Sequence, residues 1–274
     1  MFRMLTTAAV LTLSLSLPTL AQDAASDEAF GERVRAYLLE NPHVIMEAVG
    51  VLQQREDAAA AMADQDIIAA QMDALTNDGF SWVGGNPDGD ITVVEFMDYR
   101  CGYCKKAHPE VESLLSADGN IRFIVKEFPI LGEQSILGSQ FAIAAHIVAG
   151  DDAYKAVEFP ILGEQSILGS QFAIAAHIVA GDDAYKAVHD TLMSYNGEIT
   201  AESLSRLADS LDLDGAAILA KLDDPEVVRR ISENRALGKA LDISGTPTFV
   251  VQNQMVRGYV PAEQLQKMVD QLRG

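Results

Sequence analysis

The sequence predicts an α/β domain preceded by a helical arm, and three observations carry that expectation. The apolar, β-branched run Ile91-Thr92-Val93-Val94-Glu95-Phe96-Met97 is followed by a helix-length segment and a second such run, Ile121 to Val125. A strand, a helix and a strand in so short a length make a parallel βαβ unit. Near the C-terminus, Thr248–Val251 and Met255–Tyr259 flank the polar Gln252-Asn253-Gln254 and read as an antiparallel hairpin. Ahead of both, residues 27 to about 76 are alanine-rich and almost wholly helix-forming.

At 274 residues, about half of them apolar, the chain can bury a sizeable core. Its first 21 residues read as a secretory signal peptide. Arg3 supplies the positive start, Leu5 to Leu17 an apolar stretch too short to span a bilayer, and Thr19-Leu20-Ala21 a small-residue cleavage site. An uncleaved membrane anchor is the alternative. Export implies an oxidising compartment, and the mature protein is expected in the periplasm. The formal charge of -20 makes nucleic acid and anionic membrane surfaces poor partners, because both would repel it.

Residues 22–78 form the arm, in which Asn41-Pro42 starts a second helical segment. Ile45, Val49 and Leu52, then Ile68, Met72 and Leu75, recur at helical spacing. A stalk for oligomerisation and a helix lying against the domain are both open. Gly84-Gly85-Asn86-Pro87-Asp88-Gly89 is turn chemistry and marks a boundary, so the main domain is assigned to residues 79–274. After the first strand a short turn reaches Cys101, Lys105 to Leu115 reads as a helix, and Asp118-Gly119-Asn120 ends it. Residues 127–157 are then repeated letter for letter as 158–188. A single perfect doubling is not a solenoid, whose repeats diverge and need at least about three units. It reads as a recent in-frame duplication or an assembly artefact, adding a helical excursion while the flanking fold stays intact. Helices follow over Ala201–Leu211, Gly215–Leu222 and Pro225–Leu241, the last capped by Asp224, so a helical insertion spans about 128–242. Pro261 opens the closing helix.

The chain has two cysteines, Cys101 and Cys104, and a disulfide between them closes so small a loop that it stabilises almost nothing. They are there for chemistry. At a strand-to-helix junction the helix N-terminus favours the thiolate of the first cysteine, so Cys101 is expected as the exposed nucleophile. Cys104, one turn on and buried, resolves the mixed disulfide. Lys105 and Lys106 add screened positive charge that contributes little. Half a zinc site is the competing reading, but no second CxxC or HxxxH accompanies this one, so no metal is expected. The five histidines show no ligand spacing and read as helix-face residues, though His108, four residues past Cys104, could join a metal site.

The stretch VVEFMDYRCGYCKKAHPEV, followed at the far end by Ser244-Gly245-Thr246-Pro247-Thr248-Phe249, resembles the DsbA-like branch of the thioredoxin superfamily, including its ScsC-type and alphaproteobacterial oxidoreductases. The resemblance spans residues 79 to 274, and the helical arm resembles the oligomerising arm of the ScsC-type members. It implies a thioredoxin-like fold, with Pro247 as a cis proline beside the disulfide and Thr246 offering backbone groups to an extended substrate. It also implies that Glu95 is a buried acid that moves the proton of Cys104. The alternative for Glu95 is an exposed carboxylate paired with a lysine such as Lys126. Tyr103, between the cysteines, is placed in the substrate face, with simple cover for the disulfide as its alternative. The function implied is thiol–disulfide exchange with exported proteins, with the Cys101–Cys104 disulfide as redox centre and no dissociable cofactor. A membrane redox partner and a homo-oligomer built through the arm go with it. An oligomeric isomerase or reductase, and a copper-handling or chaperone-like thiol binding protein, are the alternatives.

Overall fold

The alanine-rich N-terminal sequence forms α1 (Ala21–Glu40), α2 (His43–Ala70) and the short α3 (Met72–Thr76) in the computed structural model of the chain, which describes residues 21–130 and 162–274. The signal-peptide assignment lies almost entirely outside the described residues. Pro42 separates α1 from α2, because proline biases the residue before it away from helical geometry. The chain divides into two compact units, one ending at Ala59 and the other running from Ala60 to Gly274. In the first, Tyr37, Ile45, Val49 and Leu52 are exposed. In the second, Ile68 and Leu75 are buried in a hydrophobic core. The second unit thus begins well before Gly79 and takes in the end of α2.

Among the described residues the sheet has five strands: β1 (Trp82–Gly85), β2 (Ile91–Met97), β3 (Ile121–Glu127), β4 (Thr248–Val251) and β5 (Gln254–Arg257), in the spatial order β1-β3-β2-β4-β5. β2 and β3 are parallel and the other pairs antiparallel. The edge strand β1 falls in a segment whose glycines read as turn. Trp82 pairs with Val125, and its ring lies over Gly84, where a Cβ would collide with it. β2 is central and covered on both faces, which is why it reads as a largely apolar run. Val93 and Met97 face one core and Val94 and Phe96 the other.

Between β2 and β3 lies α4 (Gly102–Ala117), which starts three residues earlier than its apolar stripe indicates because Cys101 caps it. After β3 come α5 (Leu162–Ser194), α6 (Ala201–Ser210), α7 (Gly215–Leu219) and α8 (Pro225–Ala240), and α9 (Ala262–Arg273) closes the chain. α5 is broken at Gly181, whose φ of 84° and ψ of -168° only glycine adopts readily. Asp224 caps α8, its carboxylate accepting from the Glu226 N–H at 2.9 Å.

The doubled segment contributes one repeat's worth of described structure. Glu127–Ile130, from the first copy, end β3 and enter the loop after it, while Leu162–Val188, from the second copy, build most of α5. The surplus, residues 131–161, lies outside the described residues, and so does the expected helical excursion. The flanking strand and helix are intact on either side.

Candidate active site

Cys101 stands at the N-cap of α4, where its Sγ accepts a hydrogen bond from the Cys104 backbone N–H at 3.4 Å. Asp98, buried directly after β2, fixes the turn that delivers it there. The Asp98 carbonyl accepts from the Cys101 N–H at 3.0 Å, and its carboxylate accepts from the N–H groups of Arg100 at 2.8 Å and Ile130 at 3.0 Å. Opposite, the Thr246–Pro247 peptide bond is cis, and the Thr246 carbonyl accepts from the Cys101 thiol at 3.2 Å. The Pro247 carbonyl accepts from the Gly258 N–H at 2.9 Å, tying this loop to the end of β5. A shallow cavity of about 120 Å³ runs along it, lined by Thr246, Pro247, Arg257 and Gly258 among others.

Cys101 is 6 % exposed, so it is not the exposed nucleophile that its position suggests. The Thr246 loop, 145 residues away in sequence, covers its sulfur. Tyr103 beside it is 65 % exposed, and Cys104 is fully buried. Both thiols are free. The hydrogen bond from the Cys104 thiol is the strongest influence bringing the Cys101 pKa down from 9.0 to about 6. Burial opposes it, and the Thr246 side chain and the backbone N–H groups of Cys104 and Tyr103 assist. The Thr246 hydroxyl has no hydrogen-bond partner among the described residues, so it is free to donate to the sulfur as the thiolate forms. The lysines are engaged elsewhere: Lys105 donates to the Tyr195 carbonyl, and Lys106 sits 4.1 Å over the Tyr259 ring. Burial pushes the Cys104 thiol well above its usual range, and the nearby charges of Glu95 and Cys101 push it the same way.

Glu95 is 1 % exposed, and its Oε1 has no hydrogen-bond partner among the described residues. Burial first, and then the Cys101 charge, raise its carboxyl to about 8. Pairing with Lys126 is excluded by register. Glu95 stands opposite Val125 and Phe96 opposite Lys126, so Lys126 points to the other face of the sheet. There its Nζ bonds the Asp78 carboxylate and the Ala74 carbonyl.

Five further buried polar residues near the site escape sequence reading: Asp98, Tyr99, Glu127, Tyr185 and His189. The Tyr185 hydroxyl donates to Glu127, and the Tyr99 hydroxyl lies 3.0 Å from His189 Nδ1. Burial lifts the Glu127 carboxyl to about 7. The signal that singles out Glu95, an acid in an apolar strand, is also present for Glu127 at the end of β3.

Residues 92–270 match the DSBA-like thioredoxin domain, and residues 28–59 the N-terminal domain of copper resistance protein ScsC. Among solved structures the chain is similar to a thioredoxin-like oxidoreductase from Silicibacter pomeroyi DSS-3, with 35% identity and a TM-score of 0.59 over 73% of this chain and 96% of that one. It is similar to BcfH of Salmonella enterica Typhimurium, with 25% identity and a TM-score of 0.66 over 93% and 98%. Its fold is also that of Proteus mirabilis ScsC in a transitional conformation, with 24% identity and a TM-score of 0.57 over 90% and 97%. A curated relative, Na(+)/H(+) antiporter NhaA 1 of Salinispora arenicola, is 28% identical over 187 residues. The chain spans about a quarter of the length of the curated relatives it matches. The family match takes in the strands from β2 to β5 and both cysteines, and the chain belongs to the DSBA-like thioredoxin domain family.

Proposed function

We propose that the chain catalyses thiol–disulfide exchange in exported proteins, with Cys101 as nucleophile, Cys104 as resolving thiol and Glu95 as the group that moves the Cys104 proton. The opposed acidities of the two thiols carry this reading: Cys101 is held to about 6, while Cys104, in its first helical turn, stays protonated. At neutral pH one sulfur is therefore a thiolate ready to attack and the other a reserve.

In the reduced state Cys101 Sγ attacks a substrate disulfide, forming a mixed disulfide and releasing one substrate sulfur as thiolate. With the Cys101 charge gone, the ionised form of Glu95 takes the Cys104 proton, and Cys104 Sγ attacks Cys101 Sγ, freeing the second substrate sulfur and closing the Cys101–Cys104 disulfide. Run backwards, the same steps donate that disulfide to a substrate dithiol. Thr246, Pro247 and Tyr103 border the sulfur and form the surface on which an extended substrate would lie. No dissociable cofactor enters the reaction. The signal-like first 21 residues and the family assignment support export to the periplasm, where a membrane redox partner would reset the couple.

A second reading, an oligomeric isomerase or reductase, is favoured by the first unit. Its residues 28–59 match the ScsC N-terminal domain, and Phe30, Tyr37, Met46 and Leu52 are exposed on its helices. Joining copies through that surface would present several thiolates around one substrate.

The test is turnover of a disulfide-containing substrate by the wild type and by Cys101→Ser. Loss of exchange in the variant is expected, and retained exchange would overturn the mechanism. The equilibrium of the couple with glutathione decides direction: a potential well above roughly -180 mV makes an oxidant, and one below about -230 mV a reductant or isomerase.

A further inference from the structure

Beyond the two thiols, the structure brings together another set of residues with ligand chemistry, and no motif spacing joins them. His108 lies on α4, one turn past Cys104, and His189 and Asp190 are adjacent on α5, which packs against it. One donor atom from each of the three lies within 4.8 Å of the others, and His108 Nε2 is 3.4 Å from Asp190 Oδ1. We propose that His108, His189 and Asp190 form a binding site for a divalent transition-metal ion of zinc type, separate from the cysteine pair.

Two imidazoles and one carboxylate suit a borderline cation. Three protein ligands leave a fourth position open, as in exchangeable zinc sites. His189 is buried and oriented as a metal ligand needs: its Nδ1 is engaged by the Tyr99 hydroxyl at 3.0 Å, which leaves Nε2 for a metal. Its ring stacks on that of Tyr185, at 5.8 Å and 17°. Asp190 is at the rim, its side chain 40 % exposed, so an ion can reach the site. Desolvation lowers the pKa of both imidazoles, keeping them unprotonated near neutrality. The edge of a zinc tetrahedron with about 2.0 Å bonds is roughly 3.3 Å, so binding must draw the three donors closer together.

A competitor already stands in the site. Lys186 Nζ is 2.6 Å from both Asp190 oxygens and 3.1 Å from Glu112 Oε1. On metal binding Lys186 would keep Glu112 alone, and removing its ammonium would strengthen the site.

The chain supplies its own reporter, since its single tryptophan, Trp82, has its ring 6.5 Å from that of His189. The full chain carrying Cys101→Ser and Cys104→Ser, in which no thiolate can bind metal, is titrated with Co2+. Visible absorption and quenching of Trp82 are followed together, and Zn2+ is then added in competition. One equivalent of Co2+, displaced by Zn2+, is expected. In the same background His108→Ala and Asp190→Asn should each weaken binding at least tenfold, while Lys186→Met should tighten it about fivefold. Circular dichroism confirms that each variant is folded, and if His108→Ala is not, His108→Gln replaces it. Absence of saturable quenching overturns the proposal. So does binding indifferent to all three substitutions, which would place the metal on the acidic surface.

Discussion

Replacing Thr246 by valine removes a hydroxyl and little else, and it tests how the low pKa of Cys101 arises. Four groups lower the pKa of that sulfur: the Cys104 thiol, the Thr246 side chain, whose hydroxyl is free to donate, and the N–H groups of Cys104 and Tyr103. Together they overcome burial and bring the thiol from 9.0 to about 6. If the four share the work, one is worth roughly one pKa unit, or about 1.4 kcal/mol, near the lower end for a hydrogen bond to a charged group. The Cys101 pKa in Thr246→Val should therefore rise to roughly 7. At pH 7 the variant's thiol is then about half protonated, and the reduced state loses about 1 kcal/mol of thiolate stabilisation. The potential of the couple should fall by roughly 20 mV. Thiolate ultraviolet absorbance of the reduced protein, titrated against the oxidised protein as blank, gives the pKa, and equilibration with glutathione gives the potential. Thr246→Ser, which keeps the hydroxyl, should remain near the wild type. An unchanged pKa in the valine variant would refute donation by Thr246 and leave the helix N-terminus and Cys104 as the whole cause.

Glu95→Gln should separate stability from catalysis. The carboxyl is raised from 4.5 to about 8 in the fold, so between those pH values the unfolded chain releases a proton that the folded chain keeps. Wild-type stability from this group falls as pH rises through that window, by up to about 1.4 kcal/mol per pH unit, and glutamine removes the loss. Denaturant unfolding over a pH series should show the variant's advantage growing across the window, while exchange slows by about a hundredfold; a flat difference would contradict the burial. Ile68→Ala, at a fully buried position on α2, should cost about 3 kcal/mol in chemical unfolding, whereas Ile45→Ala, at an exposed one, should shift the domain's transition by less than about 0.5 kcal/mol. Equal effects would show that the end of α2 is not part of the domain core. Deleting residues 131–161 joins Ile130 to Leu162 and restores one whole copy of the repeat, so circular dichroism, the Cys101 titration and the exchange rate should all stay as they are. Loss of any of them would show that the surplus copy contributes to the fold or the site.

The parts of the fold legible in the sequence are those whose cause is local. β2 and β3 are covered on both faces and so carry largely apolar runs, and α8 announces itself by the Asp224 cap and Pro225. β1 was hidden because Gly84 looks like a turn until the Trp82 ring is seen lying over it. Within the site, the cysteine pair was legible from spacing, but the burial of Cys101 depends on a carbonyl 145 residues away. Whether Glu95 could meet Lys126 turned on strand register, since a shift of one residue exchanges the faces of a strand. The grouping of His108 with His189 depends on how α5 packs against α4, which no local pattern encodes.

The duplication is a case in which sequence is silent in principle. Removing a stretch one repeat long that begins anywhere from Glu127 to Glu158 leaves the same remaining sequence. Helix propensity, apolar spacing and capping residues are identical for all these choices, so none of them selects which copy builds α5. What differs is where the chain must depart from the fold. A departure inside β3 would break its pairing with β2, and one between Phe172 and Ala176 would fall among fully or nearly fully buried residues. The strand is complete by Ile130, and the first described buried residue of α5 is Ser166, so a junction between Ile130 and Leu162 spares both the ladder and the described core. Packing therefore selects the junction, and the two cysteines, Glu95 and the Thr246 loop all stand outside the doubled segment.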